Sequence, residues 1–286
     1  LLWPANLFSY TCQWMQMALL AWLVLKLTDS PWFVALVGFF GMVPMLVLGL
    51  IGGMLADSAD RHKILVFTQL AGFMAALVMT VLLITELVVY WHAYPTILVI
   101  GTAHALDMPS RRSLIHDLMG VSGLTNALAL DAVGMSASRM IGPALAGVLI
   151  ALTDVAGGYV AATMFYFVAM MLLLKLNLAD MRRTEFKKAN LMSGLKYVLG
   201  HHTLLAVVLI TILMNVFMFS YRHMIPVVAR DVLHVGAGPM GVLLAAEGLG
   251  SMVGAVLVAS AVTIRYQGRL FMGGAMLSFV ALFLFS

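Results

Sequence analysis

Asp107, Asp131, Glu247, Arg139 and Arg222 are ionisable residues set inside long apolar stretches. A carboxyl among apolar neighbours is pushed toward its neutral form, and a nearby arginine pulls it back. A site built from such groups can take up a proton in one surrounding and release it in another. Asp131 precedes Arg139 by eight residues, about 12 Å along one helix face. Asp107 lies one apolar stretch earlier and is expected to join Asp131 or Arg139 in a polar seam. Its other reading is structural, as the end of a helical segment before Pro109. Glu247 is the most isolated acid, inside Leu243-Leu244-Ala245-Ala246-Glu247-Gly248-Leu249-Gly250. It is expected to be a proton-coupling carboxyl or half of a static pair with Arg222.

The second charged feature is a hinge, Gly53-Met54-Leu55-Ala56-Asp57-Ser58-Ala59-Asp60-Arg61-His62-Lys63. Asp57 and Arg61 stand at i, i+4 and pair if the hinge is helical. Asp117 is a third expected member. Elsewhere, Arg139 is followed by Gly142, Pro143 and Gly147. Proline has no N–H, so the carbonyl of Arg139 loses its helical partner, and the glycines admit a close neighbour. This predicts a bent helix beside a pathway, with Arg139 pairing an acid or an anionic ligand; carbonyl-bound arginine at a packing kink is the plainer reading. Gln13, Trp14, Gln16 and Asn6, with Asn215 and Tyr221 later in the chain, are the residues suited to a small amphipathic ligand. Lipid exposure or packing explains them equally well.

Other chemistries are poorly represented. One cysteine, Cys12, cannot form an internal disulfide or a thiolate metal cage. The histidines do not converge: His201 and His202 are adjacent, and His104 and His116 lie twelve apart. Structural metal sites need several convergent ligands, so no metal is expected. The 23 methionines lack regular ligand spacing. There is no nucleophile–base set and no glycine-rich loop with a phosphate-binding lysine, so neither an enzyme nor a cofactor is expected.

These groups must be positioned by apolar elements. Hydrophobic residues make up 63% of the chain, charged residues only 10%, and the mean hydropathy is +1.05. Soluble domains are about half apolar and a quarter charged. The apolar runs are continuous, unlike the alternating strands of membrane barrels, and helices satisfy their own backbone in lipid. With about 20 residues per crossing, spans fall near 2–25, 33–55, 63–90, 93–115, 125–151, 157–178, 203–228, 239–262 and 269–286. Loops on one side carry twelve lysines and arginines, among them Arg61, Lys63, Arg111 and Arg112; the other side carries only Lys26 and Arg230. That bias places loop 56–63 and the basic stretch 179–202 in the cytoplasm, and it explains a net charge of +4 without nucleic acid. The chain starts at Leu1 and ends inside an apolar run, so both ends read as cuts through a longer protein. A weak echo links Ala35–Val43 with Ala245–Val253, with four matches at an offset of 210; transporters built from repeats show such symmetry.

The hinge resembles the loop 2–3 signature of the major facilitator superfamily, at Gly53, Leu55, Ala56, Asp57, Arg61 and the terminal base Lys63. Ser58 and Asp60 depart, where the family usually has a base and a glycine. Ser138-Arg139-Met140-Ile141-Gly142-Pro143-Ala144-Leu145-Ala146-Gly147 resembles the family's antiporter signature, with Ala146 where a second glycine is common. Met108–Leu118 and Leu124–Leu130 are similar to the enterobactin exporter and macrolide efflux branch. The resemblance covers nearly the whole chain. It implies an all-α polytopic membrane protein: a six-helix bundle over 1–178, a cytoplasmic linker over 179–202 and the first part of a second bundle over 203–286. It implies a monomer in a bacterial plasma (inner) membrane that exports small drug- or siderophore-like molecules against protons by alternating access. It further implies that Gly53, Asp57, Arg61, Lys63 and Asp117 form a latch between the halves. Uptake by the same fold is the second reading; a membrane enzyme or receptor is disfavoured by short loops poor in polar groups.

Overall fold

The computed structural model describes residues 1–58, 60–176, 199–260 and 267–285; side chains are described except at 49–58, 121–122, 215–220, 255–260, 267, 269–270 and 285. The described residues are almost entirely helical. The first three helices are α1 (Leu2–Thr28), α2 (Pro31–Ser58) and α3 (Arg61–Ile84). A helical run over Ala93–Leu174 is broken at Gly120 (φ 62°) and Asp154 (φ 61°). It therefore forms three segments, 93–119 (α4), 121–153 (α5) and 155–174 (α6). Then come α7 (His202–Val227), a wide π turn over Val228–Val232, α8 (Ala237–Ser260) and α9 (Gln267–Phe285). Nine helical segments among the described residues overlap the nine ranges expected for spans. Pro31–Leu48, Arg61–Ile84 and the run from Gly123 to Leu174 are long and apolar enough to cross a membrane.

Local chemistry sets the breaks. Asp29 closes α1 in a left-handed conformation, its N–H bonding the Leu25 carbonyl. Asp60 caps α3: its carboxylate accepts from the N–H groups of His62 at 3.1 Å and Lys63 at 3.3 Å. The acid that departs from the family pattern is therefore a helix cap. Asp154 tolerates a positive φ because its carboxylate accepts from the Val155 N–H at 2.8 Å. Span 3 was expected to reach residue 90, but α3 stops at Ile84. Glu86 takes a positive φ of 58° and the Leu87 N–H turns back to the Leu82 carbonyl. Leu87, Val88 and Val89 are apolar but not helical. Conversely, α4 runs through Pro109, so Asp107 does not end a helix.

The chain forms two compact units. One comprises Leu1–Lys187 and His223–Met252; the other comprises Lys188–Arg222 and Val253–Ser286. In the first, α1 is buried on most of its faces, its buried positions running from Ala5 to Leu25 and including the polar Asn6, Ser9, Thr11 and Gln16. Leu65 of α3, Leu114 of α4 and Leu173 of α6 close around Ala5. α1 packs mainly on the segments of the long run, as α3 does. This places α1 against both α4 and α5, where the ionisable residues lie.

Candidate functional site

The polar seam is real, and Arg111 is its centre. This arginine was counted among loop bases, but its side chain is fully buried in α4. Its Nε donates to Asp107 Oδ2 at 2.7 Å and Nη2 to Asp107 Oδ1 at 2.8 Å, a bidentate clamp. Asp107 also accepts from Thr68 Oγ1 at 3.0 Å and Gln69 Nε2 at 3.2 Å, both on α3. On its other side, Arg111 donates to the side-chain Oδ1 of Asn6 and, at 3.3 Å, to Ser9 Oγ. Asn6 passes the link on: its Nδ2 donates to Asp131 Oδ1 at 2.7 Å. The Tyr10 hydroxyl donates to Asp131 Oδ2 at 3.1 Å, while the Arg111 guanidinium lies over the Tyr10 ring at 5.1 Å. Asp107, Arg111, Asn6 and Asp131 are all buried. The Asp107–Arg111 spacing of four was visible in the sequence; counting Arg111 as a loop charge hid it.

Arg139 is not part of this seam. Its guanidinium stacks over Trp14 at 5.0 Å, and Nη1 donates to Ser251 Oγ at 3.4 Å. Two close helix contacts hold it there. A Cβ on Gly142 would lie 2.7 Å from the Thr11 carbonyl oxygen, and one on Gly248 would lie 2.7 Å from the Arg139 carbonyl carbon. The backbone freed by Pro143 is thus where α8 comes in. Gly147 meets Gly241 further along the same seam, where an added Cβ would lie 2.8 Å from the Gly241 Cα. Thr11 Oγ1 donates to Ser138 Oγ at 3.0 Å, fixing α1 on α5.

The expected ligand residues on α1 separate. Trp14 faces α5, whereas Gln16 accepts from the Tyr166 hydroxyl on α6 at 3.2 Å. Two residues are about 200° around a helix, so both cannot line one pathway. Gln13 is half-buried and Asn6 belongs to the seam. Glu247 is half-buried on α8 in the first unit; Tyr221 and Arg222 belong to the second. Gly53 lies within α2; the side chains of Asp57 and Asn215 lie outside the described ones, as does most of the linker.

At the hinge, α2 ends at Ser58 and α3 begins at Arg61, so the i, i+4 rule for one continuous helix does not apply to Asp57 and Arg61. Arg61 pairs with Asp117 of α4, with both side chains nearly buried. Lys63 is exposed, 3.8 Å from Asp60. Breaking a buried ion pair by removing one member is strongly destabilising. Asp117→Leu should therefore cost about 3–5 kcal/mol, and the double change with Arg61→Leu should cost less. Thermal unfolding in detergent checks this; a double variant less stable than Asp117→Leu would contradict it.

A separate charged rim involves the two bases assigned to the opposite side. Lys26 Nζ lies 2.6 Å from Asp154, and Arg230 lies 2.5 Å from Asp29 and 2.6 Å from Asp231. A cavity of about 620 Å³ opens beside them, lined by Trp22, Ala151 and Pro239 among others. The Lys26 hydrogen bond holds the Asp154 carboxyl below its ordinary value of 3.8. The Arg230 hydrogen bonds likewise lower Asp231. A carboxylate depressed in the folded state stabilises fully above its unfolded value, and the gain vanishes as pH falls through the folded one. Lys26 and Asp154 are half-exposed, so the pair is worth at most about 1 kcal/mol. Lys26→Gln should lower the unfolding temperature slightly at pH 7, and the difference should disappear in acid below pH 3.8. A difference that grows on acidification would refute this.

Apolar helices around a buried ionic seam, with glycine-lined helix contacts, are the features of a polytopic helical membrane protein. The chain belongs to the transmembrane secretion effector family of the major facilitator superfamily, whose model matches residues 1–285. It is 24% identical over 255 residues to the staphyloferrin A transporter of Staphylococcus aureus, covering 86% of this chain and 62% of that protein. It is 27% identical over 157 residues to the uncharacterized MFS-type transporter YfiS of Bacillus subtilis, covering 54% of this chain and 36% of that one. The chain thus spans less than two thirds of either relative.

Proposed function

We propose that this chain forms the larger part of a secondary transporter that exports small amphipathic molecules in exchange for protons. The observation that carries the reading is a buried imbalance of charge. Asp107 and Asp131 are two carboxylates served by one guanidinium, Arg111. With both ionised, the buried cluster holds one uncompensated negative charge, which is costly away from water. One bound proton restores the balance. Asp107 is clamped by Arg111 and two further donors, whereas among the described residues Asp131 receives the neutral donors Asn6 and Tyr10. Asp131 is therefore the proton carrier and Arg111 the shared counter-ion. His104, one turn before Asp107 on α4, is the neighbouring titratable side chain on that helix. Glu247 on α8 is a second coupling carboxyl.

Two halves, 1–178 and 203–286 joined by 179–202, would rock about the midplane to expose the cargo to either side. The Arg61–Asp117 pair would belong to the cytoplasmic latch with Asp57, and the Lys26–Asp154 rim would lie outside. The family's description as secretion effectors and the antiporter-like stretch at Gly142–Gly147 support the outward direction. The cargo named for the Staphylococcus aureus relative supports a small-molecule substrate. The bacterial relatives support a bacterial plasma membrane.

The test uses full-length protein in bacterial cells loaded with ethidium or fluorescein. Expression should lower dye accumulation, and a protonophore should return it to the level of cells without the protein. Lowered accumulation that survives the protonophore would reject proton coupling.

A further inference from the structure

Arg139 carries a charge that the described residues do little to satisfy. Its position is built, because α1 and α8 both approach α5 at backbone distance around it through Gly142 and Gly248. A guanidinium offers five N–H donors. Here one of them reaches Ser251 Oγ, at a long 3.4 Å. Nε is buried and meets no acceptor among the described residues. One face lies over the Trp14 ring, which supplies a cation–π contact but no hydrogen bond. The nearest acid along α5, Asp131, is eight residues away and takes its bonds from Asn6 and Tyr10. A charged side chain within a membrane span is costly and marks a ligand or ion pathway unless it is paired.

We infer that Arg139, with the Trp14 ring and the Ser251 hydroxyl, forms a recognition site for the carboxylate of an aromatic or otherwise flat anionic cargo. The chemistry fits each part. A carboxylate takes two parallel N–H donors from one guanidinium, which lysine cannot reproduce. The Ser251 hydroxyl has a proton of its own to donate to the second carboxylate edge. The buried Trp14 ring gives a flat wall for the apolar body next to the charge. The inference deepens the transport reading, because it gives the cargo its chemical class: small amphipathic acids.

The test measures binding, which does not require coupling to protons. Purified full-length protein in lipid nanodiscs is incubated with radiolabelled 2-naphthoate, an aryl carboxylate, and with 2-naphthamide, its neutral analogue. Wild-type protein should bind 2-naphthoate saturably and at least about tenfold more tightly than the amide. Arg139→Gln should weaken 2-naphthoate at least about tenfold and leave the amide unchanged, as expected for loss of a charge-assisted pair. Arg139→Lys keeps the charge and serves where the glutamine variant fails to elute as a single species; it should weaken binding by about tenfold through loss of the bidentate fork. No saturable binding to wild type, equal affinity for acid and amide, or full affinity in both folded variants would overturn the site. Saturable naphthoate binding without protonophore-sensitive export would sink the export reading and leave the site standing. Equal export of ethidium and fluorescein with no naphthoate preference would do the reverse.

Discussion

Asp131→Asn is expected to abolish gradient-driven export, lowering it at least about tenfold, while leaving the protein folded and in the membrane. The substitution is isosteric. Asn6 Nδ2, now 2.7 Å from the carboxylate, can still donate to the new amide oxygen, so the α1–α5 contact survives. What is lost is the only carboxyl of the cluster that is free of direct guanidinium contact. Two acids and one arginine become one acid and one arginine, balanced without a proton. Downhill movement of cargo should persist, because alternating access does not itself require the proton. The contrasting variant is Asp107→Asn, which strips the bidentate partner from a fully buried arginine. That breaks the bidentate pair of a buried arginine and should cost about 3–5 kcal/mol of stability, seen as lower yield and a lower unfolding temperature. Proton flux and cargo flux measured together in proteoliposomes separate the two. Normal proton-coupled export by the Asp131→Asn protein would end the assignment.

The second large effect is steric. A Cβ on Gly241 would lie 2.7 Å from the Pro143 carbonyl oxygen and 2.9 Å from the Gly147 Cα. These are backbone atoms, which cannot swing aside as a side-chain tip does. Gly241→Val should therefore cost about 3 kcal/mol or more, at the upper end for overpacking. Gly147→Val should do the same from the other helix. Gly250 lies on the same helix, and an added Cβ there would meet nothing within 4 Å. Gly250→Ala should be neutral or stabilise by up to about 1 kcal/mol, through helix propensity alone. Unfolding temperatures of the three variants in one detergent decide the matter. A tolerated Gly241→Val would show that α5 and α8 do not meet as described. The contact also matters for mechanism, since any motion that parts α5 from α8 must break this seam.

Some positions carried their meaning openly. Asp107 and Asp131 stood out as acids in apolar runs, and their expected seam is present. Arg61 and Asp117 were expected together and are paired, although through the bundle and not along one helix. Arg111 was missed because a base near a span end has two readings of equal spacing: a solvated loop charge or a buried clamp. Only the burial of α4 against α1 distinguishes them. Asp60 was marked as a departure from a pattern, and its role as the cap of α3 needed the actual break after Ser58. Trp14 and Gln16 were grouped by closeness in sequence, which a helix does not respect.

By itself, the sequence determined the class. Composition and run length leave helices as the way to satisfy the backbone in lipid, and motif spacing identified the superfamily. These properties are local and periodic, so a single chain of letters carries them. The tertiary structure alone decided which charges meet. Asn6 and Asp131 are 125 residues apart, and Gly142 fits its place only because α1 passes within backbone distance. Pairing across a bundle depends on the rotation and depth of each helix, to which every packed side chain contributes. No single spacing records that sum.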